Sequence, residues 1–288
     1  MTQEAVRFEE GEFGTRATLL APWSSSAHQE IMRVRPNELE LNASKGWRGR
    51  DIEFIQDYEW LSSFVIIDMK IENISPVMSL KKLIILNIVT YCNTKLDFGV
   101  FNYLSHCALE WRSGAESLFD CSTLTDLFIN RYKGKSSSPF GRLENLESLA
   151  ILNSSITELQ GLSELHRLRS LRIAGLRSLK SIEGIEGLFR LESFEMQTCR
   201  SVRSLSPLSG LTNLIEVNVS NNGELDSLAP LRGLPHLRTV LFYESTNIAD
   251  GDLRAIFDHP TVSKVSFQNR RHYSQSVFEK GVWSWPAP

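Results

Sequence analysis

The stretch Leu168-Arg-Ser-Leu171-Arg-Ile173 is one copy of a pattern that recurs along the second half of the chain. The pattern places apolar residues at its first, fourth and sixth positions. Its seven copies begin at residues 124, 146, 168, 191, 214, 237 and 262, so successive copies start 22, 22, 23, 23, 23 and 25 residues apart. A period of this length indicates one small supersecondary unit stacked on copies of itself, because a single unit cannot bury its own apolar face.

Within each copy, alternation of apolar and polar residues predicts a short strand that is buried on one side. Leu171 and Ile173 are expected to point into the core, and Arg172 is expected to point outward. The rest of each unit spaces its apolar residues about three apart, as in Leu225, Leu228, Leu231 and Leu234. This spacing, interrupted by Pro207 and Pro230, favours tight turns over long α-helices.

These units resemble leucine-rich repeats, whose consensus is L-x-x-L-x-L-x-x-N/C-x-L. The repeat length and the elements Ser206-Pro207-Leu208 and Ala229-Pro230-Leu231 are similar to the short repeats of bacterial internalins and SDS22-like proteins. At the ninth position, Cys199 and Asn222 fit the consensus. The residues that depart from it are Tyr132, Ser154, Leu176 and Ser245.

The resemblance implies an α/β solenoid. It would be a curved leucine-rich-repeat horseshoe, with a parallel β-sheet on the concave face. Short 3-10, helical or irregular segments would return the chain along the convex face.

The same pattern predicts four segments along the chain. Residues 124–267 are regular repeats, and residues 36–123 are degenerate repeats that contain two good strand cores, at 64–66 and 86–88. Residues 1–35 are predicted to be an N-terminal cap with one strand near 15–20, and 268–288 a C-terminal cap or tail. Caps are expected because the end of a solenoid would otherwise expose apolar surface and unpaired strand edges.

Composition restricts the class of partner and the compartment. With 42% hydrophobic residues, 23% charged residues and a net charge of −3, the chain is typical of a globular protein and predicts no nucleic-acid partner. The acidic N-terminus is not typical of a secretory signal, and no apolar run is long enough to cross a membrane. Cys92, Cys107, Cys121 and Cys199 follow no CxxC spacing. We therefore expect reduced thiols and a cytoplasmic location.

The sequence lacks the common short motifs of catalysis. It contains no GxxxxGK[ST], HExxH, GxSxG or GxGxxG string, and its six histidines lie far apart. The sequence therefore predicts no catalytic residue, no metal site, no cofactor and no small-molecule substrate.

The residues that flank each buried strand pair would form a long exposed surface on the concave face. We expect a protein partner to bind mainly there, because exposed apolar, aromatic and arginine side chains are the types that dominate interfaces. The predicted partner-binding residues are Phe128, Leu152, Arg172, Glu195, Glu216, Asn218, Leu241 and Tyr243.

Two classes of function follow from these features. The first is a non-enzymatic, intracellular leucine-rich-repeat adaptor, regulator or inhibitor that binds a partner protein. The alternative is an effector or enzyme-associated protein whose repeats recognise a target while chemistry lies in an irregular segment. Segment 89–123, which is rich in aromatic residues and cysteine, is the competing contact surface, unless its aromatic residues repack the core around a shortened repeat.

Overall fold

The structure, a computed structural model, describes residues 4–276. The chain divides into two compact units, Met1–Ile129 and Asn130–Pro288. In both units, successive repeats each contribute a short strand to a parallel sheet, and tight 3-10 turns recur between the strands. The predicted fold, an α/β solenoid of leucine-rich repeats, is confirmed.

The strands of the first unit are β1 (Val6–Glu10), β2 (Thr15–Leu19), β3 (Glu38–Asn42), β4 (Ser63–Ile67), β5 (Ile85–Val89), β6 (His106–Glu110) and β7 (Asp126–Asn130). They lie in the sheet in chain order. From β2 to β6 each strand pairs in parallel with the next. The 3-10 turns of this unit are Ala43–Lys45, Glu53–Tyr58, Ser75–Ser79, Phe98–Val100 and Glu116–Asp120.

The N-terminal segment is more elaborate than the single strand predicted near 15–20, which is β2. The structure adds β1, which pairs antiparallel with β2, and the helix α1 (Ser25–Val34). The Ser24 hydroxyl caps this helix by accepting a hydrogen bond from the Ala27 amide at 3.2 Å, and Ala27 and Ile31 are buried one turn apart. The sequence analysis missed β1 because its single buried side chain, Val6, produces no alternating pattern.

The second unit contains β8 (Ser148–Leu152), β9 (Ser170–Ala174), β10 (Ser193–Gln197), β11 (Glu216–Asn218), β12 (Glu224–Leu225), β13 (Thr239–Phe242), β14 (Asn247–Ile248), β15 (Lys264–Phe267) and the short helix α2 (Arg254–Phe257). Its main sheet has the order β8-β9-β10-β11-β13-β15, and β12 pairs with β14 in a separate two-stranded sheet. The 3-10 turns are Ser138–Arg142, Gln160–Leu162, Ser206–Leu208 and Ala229–Leu231. Of the predicted C-terminal cap, residues 277–288 lie outside the described residues.

The core is built from the strand positions that the sequence predicts. Leu171 and Ile173 are fully buried, whereas Arg172 between them is exposed. In the register of β9 and β10, Leu171 is opposite Phe194 and Ile173 is opposite Met196, so equivalent core residues stack on one another. Fully burying such a side chain is worth about 1.5–3 kcal/mol of transfer free energy.

A short ladder of polar side chains joins three repeats of the second unit. The buried Asn222 accepts a hydrogen bond from the Cys199 amide at 2.9 Å and donates to the Met196 carbonyl at 2.6 Å. The backbone amide of Asn222 in turn donates to the Thr246 hydroxyl at 3.0 Å. The sequence analysis placed Ser245 at the ninth position of this repeat, but Ser245 is exposed and Thr246 occupies the buried position. The longer, 25-residue repeat displaces the equivalent site by one residue.

In the six repeats that begin at residues 124, 146, 168, 191, 214 and 237, the eighth residue adopts a left-handed backbone. The residues concerned are Arg131, Asn153, Gly175, Thr198, Asn221 and Glu244, with φ between 49° and 70°. At Gly175 a Cβ atom would lie 2.6 Å from the Asn153 side-chain oxygen, so glycine suits both the backbone angle and the space. The common conformation turns the chain away from the sheet at the same point in each of these six repeats.

We predict that Leu171→Ala lowers the free energy of unfolding by about 2–5 kcal/mol, because it opens a cavity between stacked repeats. The measurement is urea denaturation followed by circular dichroism. Arg172→Ala on the same strand is the matched control and should change stability by less than about 1 kcal/mol. Equal losses in the two variants would contradict the assigned strand phase.

We predict that Asn222→Ala costs about 3 kcal/mol, because it leaves buried backbone groups of Cys199 and Met196 without their partner. Its neighbour Asn221 is half-buried with φ of 58°, so Asn221→Gly should cost less than about 1 kcal/mol. Both values come from the same denaturation experiment. A small effect of Asn222→Ala would show that the ladder contributes little to stability.

Candidate partner-binding surface

The side chains that alternate with the buried strand residues form what we call the outer sheet face. Seven of the eight predicted binding residues belong to the second unit. Leu152 lies on β8, Arg172 on β9, Glu195 on β10, Glu216 and Asn218 on β11, Leu241 on β13, and Tyr243 directly follows β13. Arg172 is exposed and the other six are half-buried. The structure thus places all seven on the outer sheet face or at its edge.

Two of the predicted charges form an ion pair with each other. Arg172 and Glu195 are opposite in the register of β9 and β10, and the Arg172 Nε lies 3.3 Å from the Glu195 Oε1. The Gln197 amide also donates to Glu195 Oε1, at 2.7 Å. An exposed pair of this kind is worth about 0–1 kcal/mol, so it remains available to orient a charged partner.

Asn218 has a structural role in addition to its predicted one. Its side-chain oxygen accepts hydrogen bonds from the Ser220 amide at 3.2 Å and from the Ser220 hydroxyl at 2.7 Å. Asn218 lies opposite Leu241 in the register of β11 and β13. With its oxygen engaged in this turn, Asn218 offers a partner mainly its amide nitrogen.

Phe128 belongs to the first unit, on β7. It is half-buried and stands between the buried Leu127 and Ile129, so its ring is on the outer sheet face of that unit, as predicted. A half-buried phenylalanine at an outward strand position leaves apolar surface in contact with water.

The structure also shows an apolar surface that the sequence analysis missed, on two adjacent strands of the first unit. The β4–β5 patch consists of Val65, Ile67, Ile85 and Val89, all half-buried and all on the outer sheet face. In the register of these strands Ile67 is opposite Val89, Val65 is opposite Asn87, and Ile85 is opposite Ser63. In the sequence these residues alternate with the buried residues of the same strands, which is the pattern that indicates an outward position. Outward residues were predicted only for the regular repeats from residue 124 onward, so the outward residues of β4 and β5 were not singled out.

Two carboxylates on β3, the strand next to the β4–β5 patch, are neutralised by cations of the same chain. On β3, Glu38 is 2.7 Å from Arg16, and Glu40 is 2.7 Å from Lys45. Burial opposes ionisation of Glu40, but hydrogen bonds from Lys45 and Asn42 outweigh it and lower the pKa of this carboxyl. The apolar patch is therefore flanked by carboxylates that already have partners.

Segment 89–123 divides into a core part and an exposed part. The rings of Phe98, Phe101 and Phe119 are buried, with 5.9 Å between the centroids of Phe98 and Phe101. Tyr91 and Tyr103 are more than half exposed, at 51% and 63%. The phenylalanines thus repack the core around a shortened repeat, and the two tyrosines with the half-buried Trp111 remain as a competing contact surface.

A cavity of about 710 Å³ in the first unit, which the sequence analysis did not predict, is lined by Ala43, Arg48, Gly49, Arg50, Asp68, Met69, Lys70 and Glu72. Between residues 4 and 276, no group of three or more His, Cys, Asp or Glu side chains is placed to hold a metal ion. Within the same range, the helices are too short or too polar to cross a membrane.

Comparison with solved structures finds leucine-rich-repeat proteins of bacteria. An internalin, InlF of Listeria monocytogenes, shares 17% identity with a TM-score of 0.55, and the match covers 87% of this chain and 80% of that one. The functional domain of InlJ from the same bacterium, which includes a cysteine ladder, shares 18% identity with a TM-score of 0.60. That match covers 81% of this chain but only 52% of the InlJ chain. At these identities the likeness shows the fold alone.

No protein-family model matches the sequence, and the comparison with curated proteins finds no match.

We predict that Arg172 and Glu195 are coupled by about 0.2–1 kcal/mol, and that 1 M salt removes most of this coupling. A double-mutant cycle with Arg172→Ala and Glu195→Ala, each measured by urea denaturation at low and high salt, gives the value. Arg172→Ala with Glu216→Ala is the control cycle, since these residues lie two strands apart and should be additive. A coupling energy that is absent at low salt, or that is equal in both cycles, would contradict an ion pair between Arg172 and Glu195.

Proposed function

We propose that this chain is a non-enzymatic protein-interaction module, an adaptor, regulator or inhibitor, that binds a partner protein on the outer sheet face of its repeats. The observation that carries the proposal is the β4–β5 patch. Stacking of the repeats requires only the inward residues to be apolar, yet four branched aliphatic side chains also point outward on adjacent strands. Contiguous apolar surface at such positions is typical of interaction sites.

The second unit supports the proposal with a different set of side chains. Leu241 and Tyr243 combine an aliphatic and an aromatic residue at the end of β13, and the Arg172–Glu195 pair lies on the same outer sheet face. Tyrosine and arginine are enriched among the residues that dominate interface energies, and charged pairs favour the correct orientation of a partner. These residues are the predicted anchors of the second unit.

A cytoplasmic location is part of the same proposal. The four cysteines are free, and Cys107, Cys121 and Cys199 are buried as reduced thiols in the core. Reduced core cysteines agree with a compartment that keeps thiols reduced.

The test compares partner capture by the wild-type chain with capture by three single variants. Val65→Glu places a charge in the β4–β5 patch, and Tyr243→Ala removes the predicted aromatic anchor. Phe189→Ala is the control, since Phe189 is 62% exposed but lies outside the strands. All three should retain the wild-type melting temperature within a few degrees, because the changed residues are not in the core.

Capture from cells of the source organism, quantified by mass spectrometry, identifies candidate partners, and titration with each purified candidate then gives its Kd. We expect at least one of Val65→Glu and Tyr243→Ala to raise the Kd by tenfold or more, which corresponds to about 1.4 kcal/mol, while Phe189→Ala leaves it unchanged. Loss in Val65→Glu assigns binding to the first unit, and loss in Tyr243→Ala to the second. Equal affinity in all three variants, or loss in Phe189→Ala alone, would overturn the proposal.

A further inference from the structure

Arg112 is a buried cation in the first unit. It follows β6 and is only 4% exposed. Its Nη2 donates to the Thr90 hydroxyl at 2.9 Å and to the Thr90 carbonyl at 3.2 Å, and its Nη1 donates to the Cys92 carbonyl at 3.2 Å. Its Nε is buried and has no hydrogen-bond partner.

The acceptors around this guanidinium leave its charge without a counter-ion. Among residues 4–276 they are the carbonyls of Thr90, Cys92 and Glu110, one hydroxyl, and the Cys92 sulfur, which lies 3.3 Å from Arg112 Nη1. No carboxylate is among these acceptors. A buried cation is costly unless an anion lies beside it. The one group in this set that can become an anion is the Cys92 thiol.

Two hydroxyl groups complete the surroundings of this sulfur. The Thr90 hydroxyl lies 3.4 Å from Cys92 Sγ. The Thr94 hydroxyl lies 3.6 Å from the same sulfur and 3.4 Å from Asn73 Oδ1, so these two acceptors share its one proton. Burial opposes ionisation of the thiol, but hydrogen bonds from Thr90 and Thr94, with the charge of Arg112, outweigh it and lower the pKa of Cys92.

The other three cysteines have the opposite environment. Cys107, Cys121 and Cys199 are buried, at 3%, 8% and 0% exposure, whereas Cys92 is half-buried and reaches solvent. Burial raises the pKa of Cys121 and of Cys199 to about 11, and raises the pKa of Cys107 as well. Cys92 is therefore the one cysteine that is only half-buried and whose pKa is lowered, and the other three serve as internal controls.

We propose that Cys92 is a modification site, a thiolate held by Arg112, Thr90 and Thr94 that reacts with hydrogen peroxide to give a sulfenic acid. The sulfur attacks one peroxide oxygen, so the S–O bond forms as the O–O bond breaks. Sulfur loses two electrons and peroxide is reduced. The departing hydroxide takes a proton from solution and leaves as water, and the thiol proton was released to solvent when the thiolate formed. This inference goes beyond partner binding and does not depend on it.

The first experiment measures alkylation of the full chain by iodoacetamide between pH 6 and pH 9, with the rate at each cysteine read by peptide mass spectrometry. We expect Cys92 to react at least tenfold faster at pH 7 than each of the other three. Its half-maximal rate should lie below the ordinary thiol value of about 8.5. Treatment with hydrogen peroxide in the presence of dimedone should then give the sulfenic-acid adduct at Cys92.

Variants of the neighbouring residues distinguish their effect on the reaction rate of Cys92 from the effect of its solvent exposure. Arg112→Gln should slow the alkylation of Cys92 by tenfold or more and move its half-maximal pH upward. Because that change is buried, Thr94→Val provides a second variant that removes one donor without removing a charge. It should slow alkylation about threefold. Thr157→Val, the same change at an exposed hydroxyl that donates to Lys135 instead, is the matched control and should have no effect.

An ordinary half-maximal pH at Cys92, equal rates at all four cysteines, or absence of the dimedone adduct would overturn the proposal. An unchanged rate in Thr94→Val together with an unchanged rate in folded Arg112→Gln would also overturn it. The readouts are chemical, so they are independent of whether any partner binds the outer sheet face.

Discussion

The in-register stacking of equivalent strands is the constraint on which the rest of this structure depends. Leu171 lies beside Phe194, and Ile173 lies beside Met196, because parallel hydrogen bonding keeps the same repeat positions opposite one another. Each core side chain is then covered by its counterparts in the repeats before and after it. Since no repeat is stable alone, the period of the sequence and the geometry of the sheet must agree.

This constraint acts on one side of each strand only. The inward positions must be apolar and of similar size, whereas the outward positions carry no packing requirement from the stack. In the second unit most outward residues are small or polar, as at Ser170 and Ser193. Val65 and Ile85 in the first unit and Tyr243 in the second depart from this pattern of small or polar residues. Stacking of the repeats does not require these apolar and aromatic side chains, so a requirement other than folding explains them. For this reason we propose that a partner binds on the outer sheet face.

The regular half of the chain was predictable because its signal is local. Six residues such as 168–173 specify the strand, its buried side and its outward residue, and the structure confirms that phase. The exchange of Ser245 for Thr246 at the buried ladder position was not predictable from the same pattern, because the 25-residue spacing leaves two possible alignments. Only the contacts of Asn222 with the next repeat decide between them. The helix α1 had a local signal in Ser24, Ala27 and Ile31, but it lay outside the repeat and was not recognised.

The Cys92 environment was beyond sequence analysis for a related reason. Cys92 and Arg112 are 20 residues apart, one fewer than the 21-residue step between β5 and β6, so stacking brings the loops after these strands side by side. The period predicts that two residues at equivalent places will be neighbours, but it does not predict that one of them is a buried guanidinium without a carboxylate. In a regular repeat the loop positions that follow the strand hold residues that pack against the equivalent residues of the next repeat. In this irregular one they bring a cation to a thiol, so the departure from the consensus supplies the chemical environment that the regular repeats lack.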